Sequence, residues 1–193
     1  MLRRSSRRTR SPGKNSVSQT GPAIELDTVG LPPRLAEVAK TGFRAGEAGC
    51  RISFRSAGDE AVAIYAVDSS SGRDALSLPP DSEVCDLVLV LVAGEALVAA
   101  VELKGCNVAD AAKQLQRVLE AIRRFRRGGR RQHDDPIGVV VQRDAAGQSQ
   151  TELRKARKVA SGSRFVLRVT RSNALTGVTP GEAIARLRRR QLG

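Results

Sequence analysis

Two almost entirely apolar runs, separated by only three residues, constrain the fold of this chain more than any other sequence feature. The runs cover residues 84–92 (VCDLVLVLV) and residues 96–104 (ALVAAVELK). Continuous apolar residues over this length are typical of strands in a sheet that is covered on both faces. Residues 93–95 between them include Gly94, so the sequence predicts a central antiparallel hairpin.

Hydrophobic spacing predicts helices on either side of this hairpin in the sequence. Apolar residues recur at helical intervals over residues 108–127, which predicts the longest helix of the chain. A short first helix is expected after Pro32 and Pro33, because proline is favoured at a helix start. Two further helices are expected over residues 151–160 and 180–190.

Clusters of β-forming residues predict the remaining strands. Residues 51–55 and 61–67 flank the turn residues 57–59, so we expect a second hairpin there, followed by a loop over residues 69–83. The other expected strands cover residues 137–142 and 164–169. The resulting order αβββαβ predicts an α/β fold in which helices flank a mixed central sheet.

The composition predicts one folded domain and a basic tail. Residues 1–22 hold six basic residues, no acidic residue and almost nothing apolar, so we expect them to be disordered. Such a tail can track phosphate groups or can be a solvated arm, and the sequence leaves both open. Residues 31–193 are expected to form a single domain, because a chain of 193 residues supports one sizeable core.

The charge balance favours a polyanionic partner. The formal net charge is +13, and nucleic acid is the first candidate because basic side chains release counterions from a phosphate backbone. GC-rich coding is the alternative explanation, since 27 of the 33 basic residues are Arg and only six are Lys. The same bias makes each lysine a rarer choice, which draws attention to Lys104. Only 3% of residues are aromatic, which argues against a single-strand binder built on stacking platforms.

The sequence disfavours several classes of functional site and a location in a membrane. The three cysteines show no Cys-x-x-Cys pairing, and His133, the one histidine, is expected in a loop. The sequence has no glycine-rich nucleotide cradle. The longest apolar run, residues 87–93, is far shorter than the ~20 residues that span a bilayer. We therefore expect a cytoplasmic protein without a membrane partner.

Three charged residues of the apolar runs are predicted to meet on one face of the sheet. Glu102 and Lys104 are two residues apart on a strand, so their side chains point the same way. If the loop between the runs has three residues, the register puts Asp86 directly opposite Glu102. A loop of two residues would turn Asp86 to the other face, so this prediction depends on the register.

Two adjacent carboxylates suit a Mg²⁺ ion, for which Mn²⁺ is an expected substitute. Mg²⁺ prefers hard oxygen ligands, and the carbonyl of Leu103 is a candidate third ligand beside Asp86 and Glu102. Lys104 would orient or help to deprotonate an attacking water and balance charge on a phosphate. The alternative is that Glu102 and Lys104 form an ordinary solvent-facing ion pair, which would contribute about 0–1 kcal/mol.

The spacing of these residues resembles that of a known family. Asp86, fifteen residues, and then Glu102-Leu103-Lys104, followed by a helix that bears Gln114, is similar to the PD-(D/E)XK nuclease superfamily with its restriction-endonuclease-like αβββαβ core. The resemblance covers residues 34–142. It implies that Asp86 and Glu102 bind the metal, that Lys104 is the catalytic lysine and that Gln114 helps to place the site.

Two further acidic residues enter through the same resemblance. Pro80-Asp81 matches the literal Pro-Asp of the family name and is the alternative to Asp86, which we prefer because it begins the apolar strand. Some members add a glutamate from the first helix, for which Glu37 is the candidate.

Arginine clusters are candidate nucleic-acid contacts. Six arginines lie at and after the end of the longest predicted helix, where a phosphate-binding rim, a favourable interaction with the helix dipole and a solvated face are the possible roles. A second cluster near the C-terminus has the same possible roles. The six are Arg123, Arg124, Arg126, Arg127, Arg130 and Arg131, and the second cluster is Arg186, Arg188, Arg189 and Arg190.

The function expected from the sequence is a metal-dependent endonuclease that hydrolyses phosphodiester bonds, with double-stranded DNA as the expected substrate. A homodimer or a larger complex is expected by analogy, because both strands must be cut. The first alternative is a subunit that binds nucleic acid and is silent or activated by a partner, as in a bacterial defence or DNA-processing system. A ribosome- or RNA-associated basic protein is the third possibility.

Overall fold

The computed structural model describes residues 24–40, 44–47, 49–55, 57–104, 107–127, 134–143 and 149–189, with the backbone alone described at Glu47 and Lys104. The predicted basic tail therefore lies outside the described residues. The strands are β1 (Arg44–Glu47), β2 (Cys50–Phe54), β3 (Ala61–Ala66), β4 (Leu87–Ala93), β5 (Glu95–Lys104), β6 (Ile137–Gln142), β7 (Leu167–Arg171) and β8 (Thr176–Val178). The helices are α1 (Ser70–Ala75), α2 (Val108–Arg127), α3 (Gln150–Gly162) and α4 (Pro180–Arg188), with 3₁₀ turns at Leu26–Val29, Pro33–Val38 and Ser172–Leu175.

The central sheet has five strands in the order β3-β4-β5-β6-β7. The first three strands run antiparallel, and β6 and β7 are each parallel to the strand before them in the sheet. Parallel neighbours need long connections, and α2 and α3 supply them on the way from β5 to β6 and from β6 to β7. The protein is thus an α/β molecule with a mixed central sheet, as predicted.

The central hairpin has the register that the sequence predicts. Val92 pairs with Ala96, and the pairing continues inward to Ala93 and Glu95, so Gly94 alone lies between the two strands. Gly94 has a φ of 70°, in the left-handed region that glycine adopts without strain. The loop is tighter than expected, but the register is unchanged.

The predicted hairpin around residues 57–59 is wrong. Strand β2 does not pair with β3; it belongs to a separate three-stranded sheet in the order β1-β2-β8. Within that sheet β2 is antiparallel to β1 and parallel to β8. The turn signal at Gly58 marks the corner where the chain passes from one sheet to the other, and a partner more than a hundred residues away completes the small sheet.

Two aliphatic cores lie on opposite faces of the central sheet. Along β5, Val98 and Ala100 pack into the first core, which α2 and α3 cover. The alternate residues Leu97 and Ala99 pack into the second core, which the small sheet and α4 cover. Coverage on both faces explains why these strands are apolar throughout. Burial in the first core raises the pKa of Tyr65 to about 12 and keeps its phenol neutral.

Several local predictions are confirmed and others need correction. The bounds of α2 and β6 agree with the prediction. The expected first helix is a 3₁₀ turn over Pro33–Val38, and the expected loop contains α1, which begins because the Ser69 hydroxyl accepts a hydrogen bond from the Gly72 N–H. The strand expected over residues 164–169 lies at Leu167–Arg171 and is followed by one more short strand, β8.

Candidate active site

The candidate site lies at one edge of the central sheet, where β4 begins and β5 ends. Asp86 immediately precedes β4, and Glu102 is the third residue from the end of β5. Because side chains alternate along a strand, both residues belong to the face that carries Val88 and Ala100, which is the face covered by α2. The fold therefore brings to one corner the two acids that the sequence paired.

The two carboxyl groups each accept a hydrogen bond from the backbone of the other strand. The Leu103 N–H donates to Asp86 Oδ2 over 2.6 Å, and the Asp86 N–H donates to Glu102 Oε2 over 3.2 Å. These reciprocal bonds help to fix the orientation of both side chains. We call Asp86 and Glu102 the carboxylate pair.

The carboxylate pair combines deep burial with access to solvent. Glu102 is only 2% exposed, whereas Asp86 is half-buried. The buried thiol of Cys85 reports the local electrostatics, because burial, then the charge of Glu102, then that of Asp86 raise its pKa well above the usual value. Negative charge is therefore concentrated at this corner, which opens to solvent on the Asp86 side.

Lys104 and Gln142 stand opposite each other at the same edge of the sheet. Their Cα atoms are register partners at the ends of the parallel strands β5 and β6. Only the backbone of Lys104 is described, so a shared face with Glu102 stays a prediction. Gln142 is 1% exposed, and sequence inspection missed it. An amide that closes the apolar strand IGVVVQ, next to the strand that ends with Glu102 and Lys104, is the signal that could have found it.

Gln114 lies in the second turn of α2, the helix that covers this face. It is half-buried, and its Oε1 atom is buried without a hydrogen-bond partner among the described residues. An unsatisfied amide oxygen is costly in a folded protein, and such atoms are often retained for a ligand, a water or an ion. Its predicted role in placing the site stays a prediction.

The alternative acids occupy different environments. Asp81 is exposed in the turn that the hydrogen bond from the Ser82 N–H to the Pro79 carbonyl closes. Glu37 is exposed on the 3₁₀ turn Pro33–Val38. The acid that contacts the backbone of β5 is Asp86, and the preference for Asp86 over Asp81 as a metal ligand stays a prediction.

The donor set of this corner suits a hard divalent cation. Two carboxylates and a backbone carbonyl such as that of Leu103 match the oxygen ligands of Mg²⁺, which keeps several waters and needs only one or two carboxylates. Within the described ranges, no three His, Cys, Asp or Glu side chains come together. A larger, all-protein cage is therefore not offered by those residues, and the two-carboxylate arrangement is the one that fits.

The arginines at the end of α2 divide into two groups. Arg123 donates to the carbonyls of Ser163 and Arg164 over 3.1 and 2.9 Å. Arg126 donates to the carbonyls of Gly30, Val29 and Asp134. Burial lowers the pKa of Arg126, with partial compensation from Asp135 and Asp134. These two side chains hold the fold together.

The remaining arginines of that cluster are still candidates for contact with nucleic acid. Arg124 and Arg127 are exposed, while Arg130 and Arg131 lie outside the described residues. Arg124 and Arg127 are remote from the carboxylate pair, because α2 has 20 residues and runs back from the site edge over ~30 Å. Any contact that they make with nucleic acid is far along the substrate from the proposed chemistry.

The C-terminal arginines show a similar division. Arg186 donates to the Ala174 carbonyl, and Arg188 forms ion pairs with Glu95 and Asp134. Arg189 is exposed, and Arg190 lies outside the described residues. Arg186 and Arg188 therefore link α4 to other segments of the molecule.

No family model, curated protein or solved structure matches this chain. In the part of the chain that the structure describes, every helix is too short or too polar to cross a membrane.

Proposed function

We propose that this chain is a metal-dependent endonuclease of the PD-(D/E)XK type, which hydrolyses phosphodiester bonds in nucleic acid with DNA as the expected substrate. The observation that carries the proposal is the carboxylate pair. Its members are held against each other by reciprocal backbone hydrogen bonds at the edge of an apolar sheet. Two adjacent carboxylates, one buried and one half-buried, repel each other, and a bound divalent cation would relieve that repulsion.

The topology around the pair supports the same proposal. Strands β3, β4 and β5 form an antiparallel meander, after which α2 leads to β6, parallel to β5. The resemblance implies an αβββαβ core, and the chain departs from it in two places: the 3₁₀ turn Pro33–Val38 replaces the first helix, and the short helix α1 lies between β3 and β4. Asp86 immediately precedes the second strand of the meander, and Glu102 lies on the third.

Each residue of the site would have a separate role in the proposed hydrolysis. Asp86 and Glu102 would hold Mg²⁺, together with the Leu103 carbonyl. A bound Mg²⁺ would supply positive charge for the phosphate and would make a water easier to deprotonate. Lys104 would orient the attacking water and balance the charge that develops on the phosphate. Gln114 and Gln142 would place polar groups beside them, and the apolar strands would exclude bulk water from the buried side.

One observation favours a second function. Each carboxylate already accepts a backbone N–H, so the pair could serve only to fasten the start of β4 to the end of β5. In that case the protein would be a nucleic-acid-binding subunit that is silent, or that acts only when a partner activates it.

The test is a cleavage assay with purified protein on supercoiled plasmid, linear duplex and single-stranded DNA, with Mg²⁺, Mn²⁺ or EDTA at low salt. The variants are Lys104→Ala and Glu102→Gln, with Lys155→Ala as the matched control, because Lys155 is exposed on α3 and forms an ion pair with Glu152 alone among the described residues. We expect cleavage that needs the metal, that both site variants reduce by at least ~10²-fold and that the control retains. DNA binding without cleavage in every metal would overturn the enzyme proposal and favour the silent subunit.

A further inference from the structure

The outer face of the small sheet carries two arginines on adjacent strands. Arg44 on β1 and Arg51 on β2 are exposed, while their neighbours Ala45 and Ile52 are buried in the second core. Arg44 pairs in register with Ser53, and Arg51 with Gly46, so the two arginines are diagonal neighbours with Cα atoms ~7–8 Å apart. We call this surface the basic face.

The basic face is a groove, and no acidic side chain is among the described residues that line it. Its volume is about 430 Å³, and it offers two guanidinium groups and the Ser53 hydroxyl to a ligand, because the Thr176 hydroxyl already donates to the Ser172 carbonyl. Neither the Arg44 nor the Arg51 guanidinium has a hydrogen bond or an ion pair within the described part of the chain. The residues that line it are Arg44, Ala45, Gly46, Arg51, Ile52, Ser53 and Thr176.

A second basic groove, between α2 and α3, differs in this respect. Its lysines are accompanied by acids, and Lys113 pairs with Asp110 over 3.2 Å while Lys155 pairs with Glu152 over 3.0 Å. Those pairs neutralise most of its charge. The basic face therefore presents the stronger uncompensated positive potential.

Gly46 keeps the floor of the basic face open. A Cβ atom at this position would lie 3.0 Å from the Cys50 carbonyl oxygen and 3.2 Å from Arg51 Cγ. Because Gly46 has no side chain, the Arg51 side chain can lie across β1. A ligand backbone can approach the sheet closely there for the same reason.

The turn that joins the two strands of the basic face approaches the edge of the central sheet that bears the carboxylate pair. The turn between β1 and β2 packs on Arg143, because a side chain at Gly49 would collide with the Arg143 guanidinium. Arg143 directly follows Gln142, the register partner of Lys104. Gln142 is ~8 Å from Glu102, by two residues along a strand and one strand spacing. The turn of the basic face therefore lies near the residue that follows β6, at the end of the sheet that also holds the pair.

We infer that the basic face binds the sugar-phosphate backbone of the DNA strand that flanks the scissile phosphate. The location of the scissile phosphate rests on the proposed function, whereas the binding itself does not. Two guanidinium groups without partners among the described residues and one available hydroxyl are donors that suit phosphate oxygens. Phe54 is buried in the second core, so no aromatic ring of β2 is offered for stacking and the contact is independent of base sequence.

The test is equilibrium binding of a fluorescently labelled 30-base-pair duplex to the full chain in EDTA, over a range of salt concentrations. The double variant Arg44→Gln/Arg51→Gln removes two charges from the basic face. Arg154→Gln/Arg157→Gln is the matched control, because it removes two charges from exposed positions on α3. We expect at least a ~10-fold weaker binding and a salt slope lower by ~2 for the first pair, and a change below ~2-fold for the second.

Thermal denaturation checks that both variants fold. We expect melting temperatures close to that of the wild type, because all four arginines are exposed. If the two double variants lose DNA affinity equally, the effect is one of net charge and the inference is overturned. Unchanged DNA affinity in the basic-face variant would overturn it as well. If the basic-face variant loses binding and no protein cuts DNA, the surface stands and the nuclease proposal fails. If the wild type cuts and the variant binds normally, the nuclease stands and the surface fails.

Discussion

Glu102 is the most deeply buried charged residue of the described chain. It is 2% exposed, lies near the end of an apolar strand and shares its corner with Asp86. A backbone N–H compensates part of the desolvation cost, and the charge of Asp86 adds repulsion.

The substitution Glu102→Gln is expected to stabilise the metal-free protein. The amide keeps an oxygen that accepts the Asp86 N–H and removes one negative charge, so the free energy of unfolding in EDTA should rise by about 1–2 kcal/mol. Mg²⁺ should raise the melting temperature of the wild type by mass action and leave that of the variant unchanged. The measurement is thermal denaturation with and without Mg²⁺.

Glu120→Gln is the control for this experiment, because Glu120 is exposed on α2 and has a hydrogen bond only to Gln116 among the described residues. If Glu102→Gln lowers the free energy of unfolding, and if Mg²⁺ shifts the melting temperatures of the wild type and of this variant equally, the pair is a purely structural feature.

The site was partly predictable from the sequence. Asp86 and Glu102 could be paired because strand alternation and one turn fix their relation, and both rules act over short distances. Gln142 could not be placed in the same way. Its position beside Lys104 depends on β6 pairing with β5 through a long crossover, which no local pattern encodes.

Among the elements, α2 illustrates why arginine clusters are hard to interpret. Arg123 and Arg126 continue the stripe of Leu115, Leu119 and Ile122 that faces the core. Their long apolar stems follow the stripe and carry the charged ends to backbone carbonyls. The helical phase of an arginine, rather than the length of the basic run, therefore distinguishes a structural residue from a candidate ligand contact.

Arg126→Ala and Arg124→Ala should separate these two classes. Arg126→Ala leaves the carbonyls of Gly30, Val29 and Asp134 without their charged donor, so the free energy of unfolding should fall by about 2–3 kcal/mol. Arg124 is exposed on the same helix, and its replacement should change stability by less than ~0.5 kcal/mol. Chemical denaturation measures both, and equal effects would contradict the assignment.

The fold was predictable where local rules decide it. The bounds of α2 and β6 and the central hairpin follow from hydrophobic period and turn chemistry. The small sheet was not predictable, because β2 finds its partners at β1 and at the distant β8 while Gly58 sits in a turn that resembles a hairpin loop. A turn signal shows where the chain bends and does not show which strands then pair.

At the scale of the molecule, we expect the proposed activity to use more than one chain. The described residues contain one carboxylate pair, and a duplex has two strands to cut. The exposed arginines at the far end of α2 lie ~30 Å from that pair and can contact DNA beyond it. A dimer with two pairs on one duplex is the simplest arrangement that uses these features.

We therefore expect a homodimer or a larger complex on duplex DNA. Sedimentation velocity of the protein with an uncleaved duplex in EDTA should give a mass of two chains per duplex. In the plasmid assay, linear product should appear together with nicked circles. A 1:1 complex that yields only nicks would contradict this expectation.

The short path along the chain between the members of the carboxylate pair has a consequence for folding. Asp86 and Glu102 are 16 residues apart across a turn with one glycine, whereas the small sheet joins Ser53 to Gly177 over 124 residues. Short loops close earlier and at lower entropic cost than long ones. The corner that holds the carboxylate pair should form early, and the basic face should be completed late. A partly folded or still growing chain would then have the pair in place before its proposed DNA-binding surface.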